Sequence, residues 1–180
     1  MADIIGFYKG KYKNSSGHSL EEIWEWDDDQ LEKGHTYIQW MFPSDEGSKK
    51  VPGSPILSSF DIEEFNNDDE LKRRLLKSFA IFVKFLGLIA TTENGKIETL
   101  KFIKGYDFNE KSSNWLSANN HNHLRISRAL RSLTILGCPK IASLFYECLS
   151  EICDEYPDKV TDKTKLFWKF AITSGNGEEE

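Results

Sequence analysis

Residues 121–137, HNHLRISRALRSLTILG, restrict the fold more than any other stretch of the chain. Ile126, Ala129, Leu130, Leu133 and Leu136 recur at helical spacing, so one side of a helix of about four turns is apolar and has to be covered by other elements. Asn122 is placed to cap its start and Gly137 to stop it. Arg125 and Arg128 stand one turn apart, off the apolar stripe, with His121 and His123 at its head. Free backbone N–H groups at a helix start draw negative charge, so this gathering of polar side chains reads as an anion site. The competing reading spends the guanidinium groups on an internal ion pair with Glu32 or another acidic cluster.

The same period returns elsewhere. Asn67-Asp68-Asp69-Glu70 opens the longest helix, over residues 68–87, with a stripe of Leu71, Leu75, Phe79, Phe82 and Leu86. Pro139 suits the first position of another helix, which carries Ile141, Ala142, Phe145, Cys148, Leu149 and Ile152 on one side. A last helix starts at Thr161 and bears Leu166, Phe167, Phe170 and Ala171. Shorter helical pieces are expected over residues 3–9, from Ser19, behind Asp27-Asp28-Asp29, and from Ser59 or Asp61. In residues 35–43, HTYIQWMFP, one face is apolar through Tyr37, Ile38, Met41 and Phe42, and Pro43 ends the helix. His35, Gln39 and Trp40 then form either a satisfied core network or the wall of a pocket.

Three stretches lack the period. Residues 44–57, rich in Gly, Pro and Ser, form the longest loop. Residues 88–104 set Asn94-Gly95 between β-branched residues, the signal of a two-stranded hairpin or an ordered loop. Tyr106 to Asn120 reads as a loop anchored by a buried Trp115. The expected fold class is mainly α: a single compact domain of about seven helices over residues 1–173 with a small β-hairpin within 88–104, followed by an acidic disordered tail over 174–180.

Composition narrows the function classes. A hydrophobic share of 39% is too high for a disordered chain. The net charge of −6 argues against a general nucleic-acid binder, although Lys72–Lys77 and Arg125–Arg131 are local basic runs. Cys138, Cys148 and Cys153 are odd in number and lack C-x-x-C spacing, which disfavours a disulfide framework or a zinc site. No secretory leader is visible at MADIIGFYKG, and the apolar run Phe79–Ala90 is too short to cross a bilayer. These features predict a reduced, cytoplasmic protein without a transmembrane segment.

No catalytic motif is present: the chain has no G-x-S-x-G, no H-E-x-x-H and no G-x-G-x-x-G. His121-x-His123 with His35 would give at most three zinc ligands, and Cys148 lies on an apolar stripe where burial makes a thiol inert. No cofactor or metal is therefore expected.

HTYIQWMFP resembles the core motif of the opioid growth factor receptor conserved region, and Trp26, Leu31 and Glu32 fit its lead-in. Asn114-Trp115 followed by HNHLRISRALRSLTILG is similar to the second motif of that family, in which the His123 position is commonly Asn. The resemblance runs over residues 1–173. It departs in extra residues around Leu116–Asn120 and in the lack, within these 180 residues, of the repeat-bearing extension of animal receptors. It implies a non-enzymatic, receptor-like binding domain, with animal relatives in or around the nucleus. Its ligand, a peptide, a protein or a small anion, would be held between the two motif blocks by His35, Tyr37, Gln39, Trp40, Asn114, Trp115, His121, Asn122, Arg125 and Arg128. Two alternatives stand beside it: an enzyme for a phosphorylated or nucleotide-like substrate using His35 or His121, and local nucleic-acid binding through the two basic runs.

Overall fold

The structure is a computed structural model and describes residues 3–173; the acidic tail expected over 174–180 lies outside the described residues. The chain forms α1 (Ile4–Tyr8), α2 (Leu20–Trp24), α3 (Asp28–Lys33), α4 (Tyr37–Met41), α5 (Ser59–Asn67) and α6 (Asp69–Phe85). A hairpin of β1 (Leu88–Glu93) and β2 (Lys96–Lys104) follows, then α7 (Phe108–Lys111), a 3-10 turn over Ser112–Asn114, α8 (Asn122–Ile135), α9 (Pro139–Glu155) and α10 (Asp162–Thr173). The mainly helical class is as the periodicity predicts. Ten helices stand among the described residues, more than the seven or so expected, because five of them have six residues or fewer. The segment read as a loop over 106–120 holds α7 and the 3-10 turn.

α6, α8 and α9 bury the stripes read from the sequence, but α10 does not: Leu166, Phe167 and Phe170 are exposed, and Trp168 with Ala171 makes its buried side. α8 packs against both α9 and α10, while β1 lies on α6 and β2 on α9. At the centre the rings of Phe79, Phe102 and Phe145 meet edge to face with centroids 4.9–5.7 Å apart, which ties α6, β2 and α9 together. The hairpin turn has positive φ at both Asn94 (53°) and Gly95 (73°), the geometry of a two-residue turn between the paired Glu93 and Lys96, with a register shift between Thr91 and Glu93.

One-turn helices do not stand alone in water. Here the starts of α1, α2 and α3 are capped locally, by Asp3, Ser19 and Asp27, with reciprocal capping boxes at the latter two, whereas α4 and α7 start without a side-chain cap. The ends of α1 and α4 are capped from elsewhere in the chain. Arg74 of α6 donates from Nε to the carbonyl of Tyr8 at the end of α1, and the Tyr8 hydroxyl donates to Met41 O at the end of α4. The long helices share this device: Trp115 Nε1 donates to Leu86 O at 2.9 Å, Asn114 Nδ2 to Phe85 O at 3.3 Å, and Asn66 Nδ2 to Ile135 O at 3.1 Å. Side chains that terminate helices thus also cross-link them.

Candidate functional site

The two motif blocks do meet, along one side of α8. Arg125 is buried and reaches into the end of α3, where Nη1 donates to Leu31 O at 2.8 Å and Nη2 to Gly34 O at 2.6 Å and Glu32 O at 3.3 Å. Its guanidinium also lies 5.4 Å from the centroid of the Tyr37 ring. The ion pair expected between Arg125 and the Glu32 carboxylate is therefore replaced by backbone carbonyls, because three orphan acceptors at a helix end present themselves to a fork of donors. One turn on, Arg128 Nε donates to Phe42 O, the C-cap of α4, at 2.8 Å. The next, Arg131, grips the carboxylate of Asp45 at 2.6 Å and holds its pKa below the usual range.

The head of α8 departs from expectation. Asn122 is the first helical residue rather than the cap, and the preceding His121 makes no capping bond. The buried Asn122 amide instead donates to Glu32 Oε2 at 2.9 Å and to Asn114 O at 2.7 Å, which joins the two blocks directly. Glu32 receives His121 Nε2 on its other oxygen at 3.0 Å. The two imidazoles part company here: His121 is exposed, while His123 is buried, with Nε2 2.7 Å from Trp115 O and its ring against Trp168. Burial pushes the His123 pKa down. Among the described residues no group of three or more His, Cys, Asp or Glu side chains is arranged to hold a metal.

The remaining candidates are placed as follows. Tyr37, Gln39 and Trp40 are buried, and His35 is exposed. With its amide oriented to satisfy both ends, Gln39 donates to the carbonyls of His35 and Thr36 at 3.2 and 3.1 Å. Trp40 packs edge-on against Phe7. The basic run on α6 is locally engaged: Lys72 lies near Asp69, Arg73 pairs with Glu70, Arg74 with Glu21, and Lys77 sits over the Trp24 ring at 4.3 Å. Burial raises the Cys148 thiol to about 12 and the Cys153 thiol to about 11, which keeps both protonated.

A concave surface lies just outside this seam. A groove of about 500 Å³ runs between the α2–α3 corner and the C-terminal part of α6, lined by Trp24, Trp26, Leu31 and Ile81 with charged flanks of Asp27–Asp29, Lys84 and Lys111. Burial alone would lower the Lys111 ammonium, but Asp28 at 3.0 Å and Asp107 at 3.3 Å outweigh it and raise its pKa. Lys111 also donates to Lys84 O, so it forms a fixed end wall. None of the ten candidate ligand-binding residues lines this groove, yet the seam adjoins it: Leu31 is among the lining residues, and its carbonyl accepts from Arg125. The lining comes from three separate stretches of the chain, residues 24–31, 81–84 and 111, and the first of them carries the Trp24-x-Trp26 pair, two indoles that cannot share a helix face.

Comparisons with known proteins agree with the motif reading. A family model described as the opioid growth factor receptor (OGFr) conserved region matches residues 3–177. The opioid growth factor receptor-like protein 1 of Mus musculus is 31% identical over 162 residues, covering 82% of this chain and 32% of its own length. The opioid growth factor receptor of Homo sapiens is 32% identical over 137 residues, covering 74% of this chain and 19% of its own length. The chain spans a third or less of these relatives. No solved structure matches significantly.

Proposed function

We propose a function from one premise: this chain belongs to the opioid growth factor receptor conserved-region family. It is a non-enzymatic binding domain acting in the cytoplasm, and its ligand is a peptide or a short protein segment seated in the groove beside α3. The observation that carries this reading is the make-up of the groove. Trp24, Trp26 and Ile81 offer apolar surface over the buried Leu31, Asp27 and Asp29 offer negative charge, and Lys84 offers positive charge, while Lys111 is held by Asp28 and Asp107 at the end wall. A peptide supplies a counterpart to each, through an aromatic or aliphatic side chain, an ammonium and a carboxylate. The motif residues support the reading indirectly: Arg125 and Tyr37 hold the α3 end from behind, and Asn122 with His121 fixes Glu32 beside it.

The relatives' names specify opioid growth factor, and that peptide is the first probe. Tryptophan emission followed during its titration should change saturably, because Trp24 and Trp26 are the half-exposed indoles at the groove. Ile81→Asp and Lys84→Glu, both on the outer part of α6, should weaken binding about tenfold or more while far-UV circular dichroism stays as in the wild type. Undiminished affinity in a folded Ile81→Asp protein would remove the groove from the reading.

A further inference from the structure

The three guanidinium groups of α8 are not partnered alike. Arg125 has three carbonyls and Arg131 has a carboxylate, but Arg128 has a single hydrogen bond, from Nε to Phe42 O. Its Nη2 is sealed from solvent and has no acceptor; Nη1, equally without a hydrogen bond, is not sealed. Among the described residues no carboxylate pairs with it, and burial without a countercharge brings its pKa down to about 10. A guanidinium in this position stays charged at neutral pH, has lost much of its water, and leaves a fork of donors unused. With Nε committed to the backbone and Nη2 sealed, the accessible donor is Nη1, which can give a charge-assisted hydrogen bond to one oxygen of a carboxylate or phosphate.

We propose that Arg128 is an anion-binding residue: Nη1 of its guanidinium takes an oxygen of a small oxyanion, carboxylate or phosphate, where α8 meets the turn at Phe42. The anion enters from the Nη1 side and supplies the countercharge that the fold omits. Arg128 does not line the groove beside α3, so this site stands or falls separately from the peptide reading.

Thermal melts at fixed ionic strength, exchanging sodium chloride for sodium phosphate or sodium acetate, test it. Wild-type melting temperature should rise saturably with phosphate or acetate, and the rise should be absent in Arg128→Met but kept in Arg131→Gln. Excluded-salt effects raise all three proteins alike, so the difference between variants is the readout. A response to phosphate alone assigns a phosphoryl group, and a response to both assigns oxyanions in general, peptide carboxylates included. Equal slopes in wild type and Arg128→Met, or none in either, overturn the proposal. Should Arg128→Met not fold, the ¹⁵N resonance of Arg128 Nε in the wild type decides: a saturable shift during phosphate or acetate titration supports the site, and an unmoved resonance overturns it.

Discussion

Arg125 and Arg128 are the same residue type one turn apart, yet their removal should differ sharply in consequence. Truncating Arg125 leaves the carbonyls of Leu31, Glu32 and Gly34 without their donor in a buried setting. At about 1–3 kcal/mol for a stranded buried acceptor, Arg125→Met should cost on the order of 3 kcal/mol or more in urea unfolding. Arg128→Met loses one hydrogen bond and also an uncompensated buried charge, so its stability should stay within about 1 kcal/mol of wild type. Equal losses from the two variants would contradict this account. The sequence reveals that two arginines flank an apolar stripe, but not that their partners are backbone oxygens. Carbonyls are the same at every position, so no residue type announces which helix end will receive the guanidinium. For the same reason Asn122 reads as a cap, when its amide is used to join Glu32 to Asn114 O.

Among the elements, legibility follows length. α6, α8 and α9 run for nearly four turns or more, long enough for their apolar stripes to show a period, whereas on α10 the expected stripe of Leu166, Phe167 and Phe170 is exposed and Trp168 is the buried anchor. α7 has four residues and cannot show a period, so it is indistinguishable from loop in the sequence. The hairpin is short but carries Asn94-Gly95, whose backbone preference is specific enough to read directly. The stop of α8 is equally specific. Gly137 has φ of +91°, and Cys138 N–H returns to Leu133 O at 2.9 Å, the pattern in which a left-handed residue closes a helix. A Cβ at Gly137 would stand 2.7 Å from Asn66 Oδ1, and that same Asn66 caps Ile135 O. Gly137→Ala should therefore lose about 1–2 kcal/mol in thermal or denaturant melts. The loss should shrink in an Asn66→Ala background, where the crowding is gone and only the backbone strain remains. An undiminished penalty in the double variant would show that the Asn66 contact is not part of the cost.

At the scale of the whole molecule, His123 is the joint between α8, the turn at Trp115 and α10. Its ring nitrogen meets Trp115 O, its own carbonyl accepts from Trp168 Nε1 at 3.0 Å, and both indoles are buried. Folding lowers the pKa of this imidazole from the ordinary 6.5. Below that value the unfolded chain takes up a proton that the folded chain refuses, so the stability due to neutral His123 is complete above pH 6.5 and drains away as pH falls through it. Melting temperatures measured from about pH 7 to about pH 5 should fall in the wild type and fall less in His123→Asn. Parallel curves would assign the acid sensitivity to other groups. The family and the packing of the two motif blocks are legible from the chain as written. The groove is not, because α2, α3, α6 and α7 each contribute only a few of its residues.

The three buried thiols have a practical consequence. Cys138 is the residue before α9, while Cys148 and Cys153 lie along it, all without disulfide partners. A maleimide added to the native protein must wait for each one to be uncovered, so the chain carries its own clock for transient opening, with marks at three depths along one helix. When reclosing outpaces alkylation, the ratio of any two labelling rates, corrected for intrinsic thiol reactivity, reads the difference in opening free energy between those depths. Mass spectrometry would then time whether α9 frays from one end or lifts away whole.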